Sequence, residues 1–231
     1  MRPAAHPTEL WVAWLGTLPY AEAVDLQERL RARRQADEIP DTLLLLEHPA
    51  VYTRGRRSDA ADLLLGDAWY RAQGIEVLDT DRGGRVTYHG PGQLVGYPIM
   101  EVRDVPSYVK TMESAVIAAL ADEGVEAVVR DGLTGVWAGD AKIGSIGVHV
   151  SRGVTTHGFA INVDNDLQPF EWILPCGIEH VRMTSVCKET GRADHLSCLR
   201  KRMAHRFAEA FGRRQRLVSA GCLAERELAH A

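Results

Sequence analysis

The sequence has no long hydrophobic run and no excess of positive charge. No apolar run approaches the ~20 residues that cross a bilayer, so we expect neither a transmembrane segment nor a membrane partner. With 27 lysines and arginines against 31 aspartates and glutamates, the net charge is −4, which disfavours nucleic acid as the main partner. The 231 residues, 45% of them hydrophobic, suffice to bury the core of one large α/β domain, and we expect a single domain over residues 1–231.

Metal-binding and phosphate-binding motifs are also missing. The four cysteines include no CxxC pair, and the histidines form no HxxxH or HExxH arrangement, so we expect no zinc site at His48, His89, His149 or His157. No Gly-Lys-Ser/Thr pattern cradles a phosphate, so no P-loop is expected and no cofactor is predicted. Free thiols without a secretory signal predict a reducing, cytoplasmic location.

Hydrophobic periodicity predicts alternating helices and strands, followed by a run of short strands. Apolar residues at helical spacing predict helices at Tyr20–Ala36, Asp62–Gln73, Pro106–Glu123 and, capped by Asp194, Leu196–Phe211. Apolar and β-branched runs predict strands at Glu9–Leu15, Asp41–Glu47, Glu76–Thr80 and Val125–Arg130. Segments interrupted by glycine predict an antiparallel meander of Gly135–Ala138, Lys142–Val150 and His157–Val163. We expect one helical turn at Asp166–Trp172 and disorder in residues 1–8 and 221–231.

A glycine-rich stretch, Arg82–Pro98, contains five glycines and two prolines in an otherwise strand-like run. Gly83-Gly84 lets the backbone approach a ligand, while Gly90-Pro91-Gly92 predicts the turn of a hairpin between Arg85–His89 and Gln93–Ile99. The stretch has more hydrogen-bonding side chains than a core strand needs, which favours a binding surface over an ordinary β-turn. These side chains are Arg82, Arg85, Thr87, Tyr88 and His89.

Two side chains stand in settings that are unusual for their type. Cys176 lies between a proline and a glycine, in a turn that keeps a thiol near the surface, and a reactive thiolate fits there. Lys142 is a charge in a strand of isoleucine, glycine, serine and valine, where a cation facing a cleft stabilises a thiolate and a desolvated amine exchanges a proton. The other cysteines, Cys187, Cys198 and Cys222, are interpreted as structural.

Positive charge is concentrated in two segments. Arg54, Arg56 and Arg57 lie in one predicted loop, and Arg192–Arg216 holds eight lysines and arginines against two acidic residues. Two interpretations stay open: a solvated face, or a docking surface for an acidic partner.

Four motifs together resemble those of the lipoyl(octanoyl) transferases, in the order of that family, within roughly Asp41 to Ser185. They are Arg82-Gly-Gly-Arg-Val-Thr-Tyr-His-Gly-Pro-Gly-Gln-Leu94, Lys142-Ile-Gly-Ser-Ile-Gly-Val148, His157-Gly-Phe-Ala-Ile-Asn162 and Pro175-Cys-Gly-Ile178. The resemblance implies the fold of biotin and lipoate protein ligases, an α/β (α+β) fold with a mixed, largely antiparallel β-sheet flanked by helices. It also implies transfer of octanoyl from the phosphopantetheine thioester of acyl carrier protein to a specific lysine of a lipoyl domain or of glycine-cleavage H protein.

The resemblance assigns roles residue by residue. Cys176 matches the nucleophile that carries the acyl group as a thioester, and Lys142 matches the cation that keeps this thiol ionised and serves as acid and base. The residues that match the walls of the acyl pocket are Arg82, Gly83, Gly84, Arg85, Val86, Thr87, Tyr88, His89, Ser145, Ile146, Gly147, His157, Gly158 and Phe159.

Two other functions are compatible with this fold. An ATP-dependent lipoate or biotin protein ligase activates its acid as an adenylate and needs no cysteine at position 176. A non-catalytic acyl-binding or regulatory module keeps the glycine-lined slot and tolerates loss of the cysteine and the lysine. The joint presence of Lys142 and Cys176 favours the transferase over both.

Overall fold

The computed structural model describes residues 8–177 and 181–224. The strands are β1 (Glu9–Thr17), β2 (Asp41–Glu47), β3 (Val51–Arg54), β4 (Glu76–Asp79), β5 (Thr87–His89), β6 (Gln93–Ile99), β7 (Val128–Arg130), β8 (Leu133–Ala138), β9 (Ala141–Ser151), β10 (Val154–Asn162), β11 (Arg182–Met183) and β12 (Arg214–Leu217). The helices are α1 (Tyr20–Gln35), α2 (Asp67–Ala72), α3 (Val105–Ala121), α4 (Val186–Thr190), α5 (Leu196–Ala210) and α6 (Ala220–Ala224).

Most strands join one large sheet. Its order is β12-β1-β2-β6-β10-β9-β8-β7, with β11 on β9, and the pairs from β2 to β7 are antiparallel while β12-β1, β1-β2 and β9-β11 are parallel. A smaller sheet has the order β4-β3-β5. The mixed, largely antiparallel sheet flanked by helices is therefore confirmed, as is the meander of β8, β9 and β10.

Strand β2 lies between two apolar layers because its leucines alternate between the faces of the sheet. Leu43 and Leu45 pack in the cluster that contains α3 and α5, whereas Leu44 and Leu46 pack in the cluster that contains α1. All four are fully buried or nearly so, and full burial of such a side chain stabilises the fold by about 1.5–3 kcal/mol. The prediction of a strand buried on both faces is confirmed.

The predicted hairpin between Arg85–His89 and Gln93–Ile99 is wrong. β5 pairs with β3 in the small sheet, while β6 pairs with β2 and β10 in the large sheet. The Gly90–Gln93 turn is present, with the Gln93 N–H donating to the Gly90 carbonyl at 3.1 Å, but it passes the chain from one sheet to the other. The Tyr88 ring folds over Gly90 and occupies the space that a side chain would need there.

Other boundaries also differ from the prediction. The helix expected at Asp62–Gln73 is a 3₁₀ turn at Ala60–Asp62 followed by α2, and a 3₁₀ turn does form at Gln168–Trp172. Asp194 does not cap α5: its φ is +64°, and the Leu196 N–H is accepted by Asp164 instead (3.3 Å).

Some expectations fall partly outside the described residues. Residues 1–7 and 225–231, where we expected disorder, lie outside them, as does Ile178, whereas Ala220–Ala224 form a short helix. The single domain over residues 1–231 stays a prediction. Within the described part of the chain, no helix has the length and apolar character needed to cross a membrane.

Candidate active site

Lys142 and Cys176 are in contact. The Lys142 ammonium donates to the Cys176 Sγ at 3.3 Å and to the Thr134 carbonyl at 2.9 Å. Cys176 lies in a short 3₁₀ turn, Pro175–Gly177, with φ +58°, and its N–H donates to the Val86 carbonyl (3.0 Å). The turn thus holds a half-buried thiol against β9 from outside the large sheet.

Lys142 is almost completely enclosed. It is 2% exposed, and within the described residues it has no salt bridge to a carboxylate. The Trp137 ring centroid lies 5.7 Å from Nζ, and Gly135 leaves room for the lysine, since a Cβ there would lie 2.7 Å from Cε. A buried ammonium without an anionic partner is costly, so an anionic sulfur on Cys176 would supply its missing counter-charge.

Cys176 stands where two cavities meet. The first cavity, of about 460 Å³ including its mouth, lies between β5 of the small sheet and β9 and β10 of the large sheet. The second cavity, of about 1270 Å³, opens more widely to solvent and is lined by Lys142, Thr134 and Arg57. The thiol can therefore be reached from both sides.

The first cavity gathers most of the residues predicted to form the acyl pocket. The predicted residues on its wall are Arg82, Gly83, Gly84, Arg85, Thr87, His89, Ser145, Ile146, Gly147, His157, Gly158 and Phe159. Val86 and Tyr88 lie elsewhere, in the core of the small sheet with Tyr52 and Tyr70. The reason is the alternation of a strand, which turns Thr87 and His89 towards the cavity and their neighbours away from it.

Several wall residues were not predicted. Tyr20 and Tyr97 line the first cavity, and Arg57, Val109 and Thr134 line the second. Tyr97 could have been singled out from the sequence, because its hydroxyl lies in a strand that is apolar after Gln93, and a buried hydroxyl needs a partner. Tyr20 had no such signal, because it is the first residue of α1 and reaches the cavity only through the packing of that helix.

A buried pair of histidines next to this cavity is neutral. The His48 Nδ1–H donates to the Leu18 carbonyl (2.6 Å), so its Nε2 accepts the Tyr97 hydroxyl (2.7 Å), and burial lowers the pKa of His48 to about 4. His89 is stacked on Tyr20, and burial lowers its pKa well below the usual value.

Asp81 and His157 form a further pair. His157 Nε2 lies 2.7 Å from an Asp81 oxygen, and this hydrogen bond lowers the pKa of Asp81 to about 2. Burial lowers the pKa of His157, so the pair consists of a carboxylate and a neutral imidazole. Nearby, Arg82 is buried and donates to the Thr53 hydroxyl and carbonyl, and this burial lowers its pKa.

An ion pair supports the turn that carries Cys176. Arg85 binds both oxygens of the fully buried Asp62 (2.6 and 3.0 Å), and the Asp62 carbonyl accepts the Leu174 N–H (2.8 Å). Gly177 lies against Arg85 so closely that a Cβ would overlap its side chain. The position of the thiol therefore depends on this bidentate pair.

The two basic segments differ in how their charges are used. Arg57 is exposed and borders the second cavity, whereas Arg54 pairs with Asp79. In the segment Arg192–Arg216, most arginines bind acidic residues of the protein itself, namely Arg202 with Glu123, Arg206 with Asp122 and Glu209, Arg213 with Asp41, and Arg214 and Arg216 with Glu9. The expectation that this segment presents free positive charge is weakened accordingly.

Comparisons with known proteins identify the family of the chain. Residues 19–208 match the family described as lipoyl protein ligase A/B catalytic domain. An octanoyltransferase of Rubrobacter xylanophilus is 48% identical over 201 residues (85% of this chain, 91% of the relative), and one of Solibacter usitatus is 48% identical over 201 residues (85% and 90%).

Solved structures share the fold at low sequence identity. A bi-partite lipoate protein ligase from Thermoplasma acidophilum has a TM-score of 0.73 at 19% identity (94% of this chain, 91% of that chain). A biotin protein ligase of Aquifex aeolicus in complex with biotin has a TM-score of 0.51 at 16% identity (87% and 69%). The chain therefore belongs to the octanoyltransferases within the lipoyl protein ligase A/B catalytic domain family, and it is an acyltransferase.

Proposed function

We propose that the protein transfers octanoyl from acyl carrier protein to the ε-amine of a specific lysine on a lipoyl domain or on glycine-cleavage H protein, through a thioester on Cys176. The observation that carries the proposal is the 3.3 Å contact between Lys142 Nζ and Cys176 Sγ at the junction of two cavities. The four free cysteines are consistent with the reducing cytoplasm that we propose as its location.

In the first step, the Cys176 thiolate attacks the carbonyl carbon of the donor thioester. The bond from that carbon to the phosphopantetheine sulfur breaks, and the departing sulfur takes a proton from the Lys142 ammonium. The products are an acyl-thioester on Cys176, a phosphopantetheine thiol and a neutral Lys142 amine.

In the second step, the acceptor amine attacks the carbonyl carbon of the acyl-enzyme. Lys142, now neutral, accepts the proton that the attacking nitrogen loses, and the Cys176 sulfur leaves as a thiolate. An amide is formed, and the pair of ammonium and thiolate is restored. Burial of Lys142 keeps its Nζ in contact with the Cys176 sulfur, where the proton is given and taken in the two steps.

In this proposal, each of the two cavities binds a different part of the substrates. The first cavity has Ile146, Phe159 and Ala160 on its wall and receives the acyl chain. Burial of each carbon of the chain is worth about 0.8 kcal/mol, so the seven carbons beyond the carbonyl contribute roughly 5–6 kcal/mol. The wider second cavity admits first the phosphopantetheine arm and then the acceptor lysine, beside Lys142.

Incubation with octanoyl-acyl carrier protein and a lipoyl domain, in chelator and without ATP, tests the proposal. We expect the acceptor to gain the mass of one octanoyl group, Cys176→Ala to lose transfer, and Cys198→Ala, a matched change of an exposed cysteine, to retain it. Acylation that instead requires ATP and free octanoate would assign the protein to the ligases. Absence of acylation under either condition would favour a binding module.

A further inference from the structure

The first cavity has two histidines on its wall, which an acyl pocket for plain hydrocarbon does not need. His157 is 3% exposed, lies on the wall of this cavity, and its Nδ1 has no hydrogen-bond partner. Its Nε2 lies 2.7 Å from the carboxylate of Asp81, so the ring proton is on Nε2. Nδ1 is therefore a buried acceptor without a donor.

His89 supplies a second acceptor on the same wall. The Gln93 amide nitrogen donates to the Tyr88 carbonyl and to Asn162, so the Gln93 oxygen accepts, and the proton of His89 lies on Nδ1 at 2.7 Å. The His89 Nε2 is left as an acceptor, and it makes no hydrogen bond to any described residue.

The two tyrosine hydroxyl groups near these rings are already used as donors. Tyr20 donates to the Thr80 hydroxyl (3.1 Å), and Tyr97 donates to His48 Nε2 (2.7 Å). Neither tyrosine therefore donates to the two imidazole acceptors, and an unpaired acceptor such as the buried His157 Nδ1 is costly.

The backbone at His157 is held in a costly conformation. The φ of His157 is +57° although the residue lies within β10, and its backbone N–H donates to the side-chain oxygen of the buried Gln27 (2.6 Å). A non-glycine residue in this region costs on the order of 1–3 kcal/mol, and such strain is found where a side chain must be aimed at a ligand.

The distance suits the end of an acyl chain. The Val86 carbonyl holds the Cys176 N–H, and His89 lies three residues further along the chain, which is about 10 Å in an extended strand. An extended eight-carbon chain that starts at Cys176 has a comparable length.

We propose that the part of the first cavity lined by His157 and His89 binds a hydrogen-bond donor on the substrate, namely a hydroxyl at or near the last carbon of a medium-chain acyl group. This inference rests on the proposed function and adds hydroxylated acyl thioesters to its substrates. His157 and His89 accept the hydroxyl proton, while the carbons before it pack on the apolar wall.

A competition experiment tests the inference. Octanoyl-pantetheine and 6-, 7- or 8-hydroxyoctanoyl-pantetheine are mixed in equal amounts with the protein and a lipoyl domain, and mass spectrometry gives the ratio of the two products. In an apolar pocket, a hydroxyl without a hydrogen-bond partner lowers the ratio of hydroxylated product to octanoyl product by about ten- to a hundredfold. We expect at least one hydroxylated isomer to be used within threefold of octanoyl.

Variants identify the groups responsible. His157→Phe removes the acceptor and should lower the product ratio at least tenfold, whereas His157→Asn keeps an acceptor, tolerates the positive φ and should restore part of it. His149→Phe is the matched control, since His149 also contacts Asp81 (3.5 Å) but lines neither cavity, and the ratio should not change.

The product ratio does not depend on the overall rate, so a slow variant is still informative. The comparison of the three hydroxylated isomers uses the parent protein alone and needs no variant. Transfer of octanoyl with about tenfold or greater rejection of every hydroxylated isomer by the parent would overturn the inference and leave the proposed function intact. A ratio unchanged in His157→Phe would also overturn it. Failure of the parent to transfer octanoyl would refute the proposed function itself.

Discussion

Gly135 offers a way to displace Lys142 without altering any reacting group. Its φ is +119°, and a Cβ there would lie 2.5 Å from the Gly144 carbonyl oxygen, 2.7 Å from Lys142 Cε and 3.2 Å from Nζ. Distances this short force the lysine or the pairing of β8 with β9 to move. We therefore expect Gly135→Ala to shift Nζ away from Cys176 by roughly 1 Å.

The size of the effect follows from this displacement. Misplacement of a catalytic group by about 1 Å costs on the order of a hundredfold in rate. Overpacking and the positive φ of Gly135 each cost about 1–3 kcal/mol of stability. Gly139→Ala is the matched control: Gly139 lies in the turn after β8 with φ +51°, and a Cβ there meets no atom within 4 Å. It should cost only about 1–2 kcal/mol for the left-handed backbone.

Octanoyl transfer is measured at a temperature where urea unfolding shows both variants to be folded. We expect Gly135→Ala to transfer about a hundredfold more slowly than the parent, and Gly139→Ala to stay within twofold of it. A folded Gly135→Ala that transfers as fast as Gly139→Ala would refute the claim that the position of Lys142 limits the reaction.

Three further predictions concern charge. The pKa of native His48 is about 4, below the 6.5 of the unfolded chain, so the unfolded state binds more protons between these two pH values. The free energy of unfolding should therefore fall as pH drops from 6.5 towards 4, and His48 accounts for about 3 kcal/mol of that loss. His48→Gln should flatten this slope in urea unfolding at several pH values. Lys142→Arg keeps the charge but cannot exchange a proton, so single-turnover assays should show acyl-enzyme formation with poor transfer to the acceptor. Lys142→Met should be slow in both steps, and turnover at the parental rate by Lys142→Arg would contradict the acid-base role. Arg57→Gln should raise the KM for octanoyl-acyl carrier protein and reduce its salt dependence, whereas the exposed Arg192→Gln should change neither; equal effects would mean that Arg57 is only a solvated charge.

Local sequence identified residues whose surroundings conflict with their chemistry. A lysine in an apolar strand and a cysteine between proline and glycine singled out Lys142 and Cys176, and the structure brings these two residues, 34 positions apart, into contact. Most of the cavity wall was likewise predicted from glycine-interrupted segments that resemble the family motifs.

Features that depend on long-range packing could not be predicted. The Gly90-Pro91-Gly92 turn signals a change of direction but not which strand is the partner, so a crossing between two sheets was interpreted as a hairpin. Strand β12, Arg214–Leu217, has an exposed polar pattern that resembles a loop and becomes a strand only because β1 has an open edge. Tyr20 reaches the cavity through the packing of α1, which local sequence does not encode.

The central claim is that Cys176 carries the acyl group during transfer. The most direct measurement mixes the protein with octanoyl-acyl carrier protein in the absence of acceptor, determines the intact mass, and locates the adduct by peptide mapping. We predict one octanoyl thioester, on Cys176, that is lost when a lipoyl domain is added and does not form in Cys176→Ala. An adduct on Cys187, Cys198 or Cys222, or full transfer by Cys176→Ala, would contradict the account.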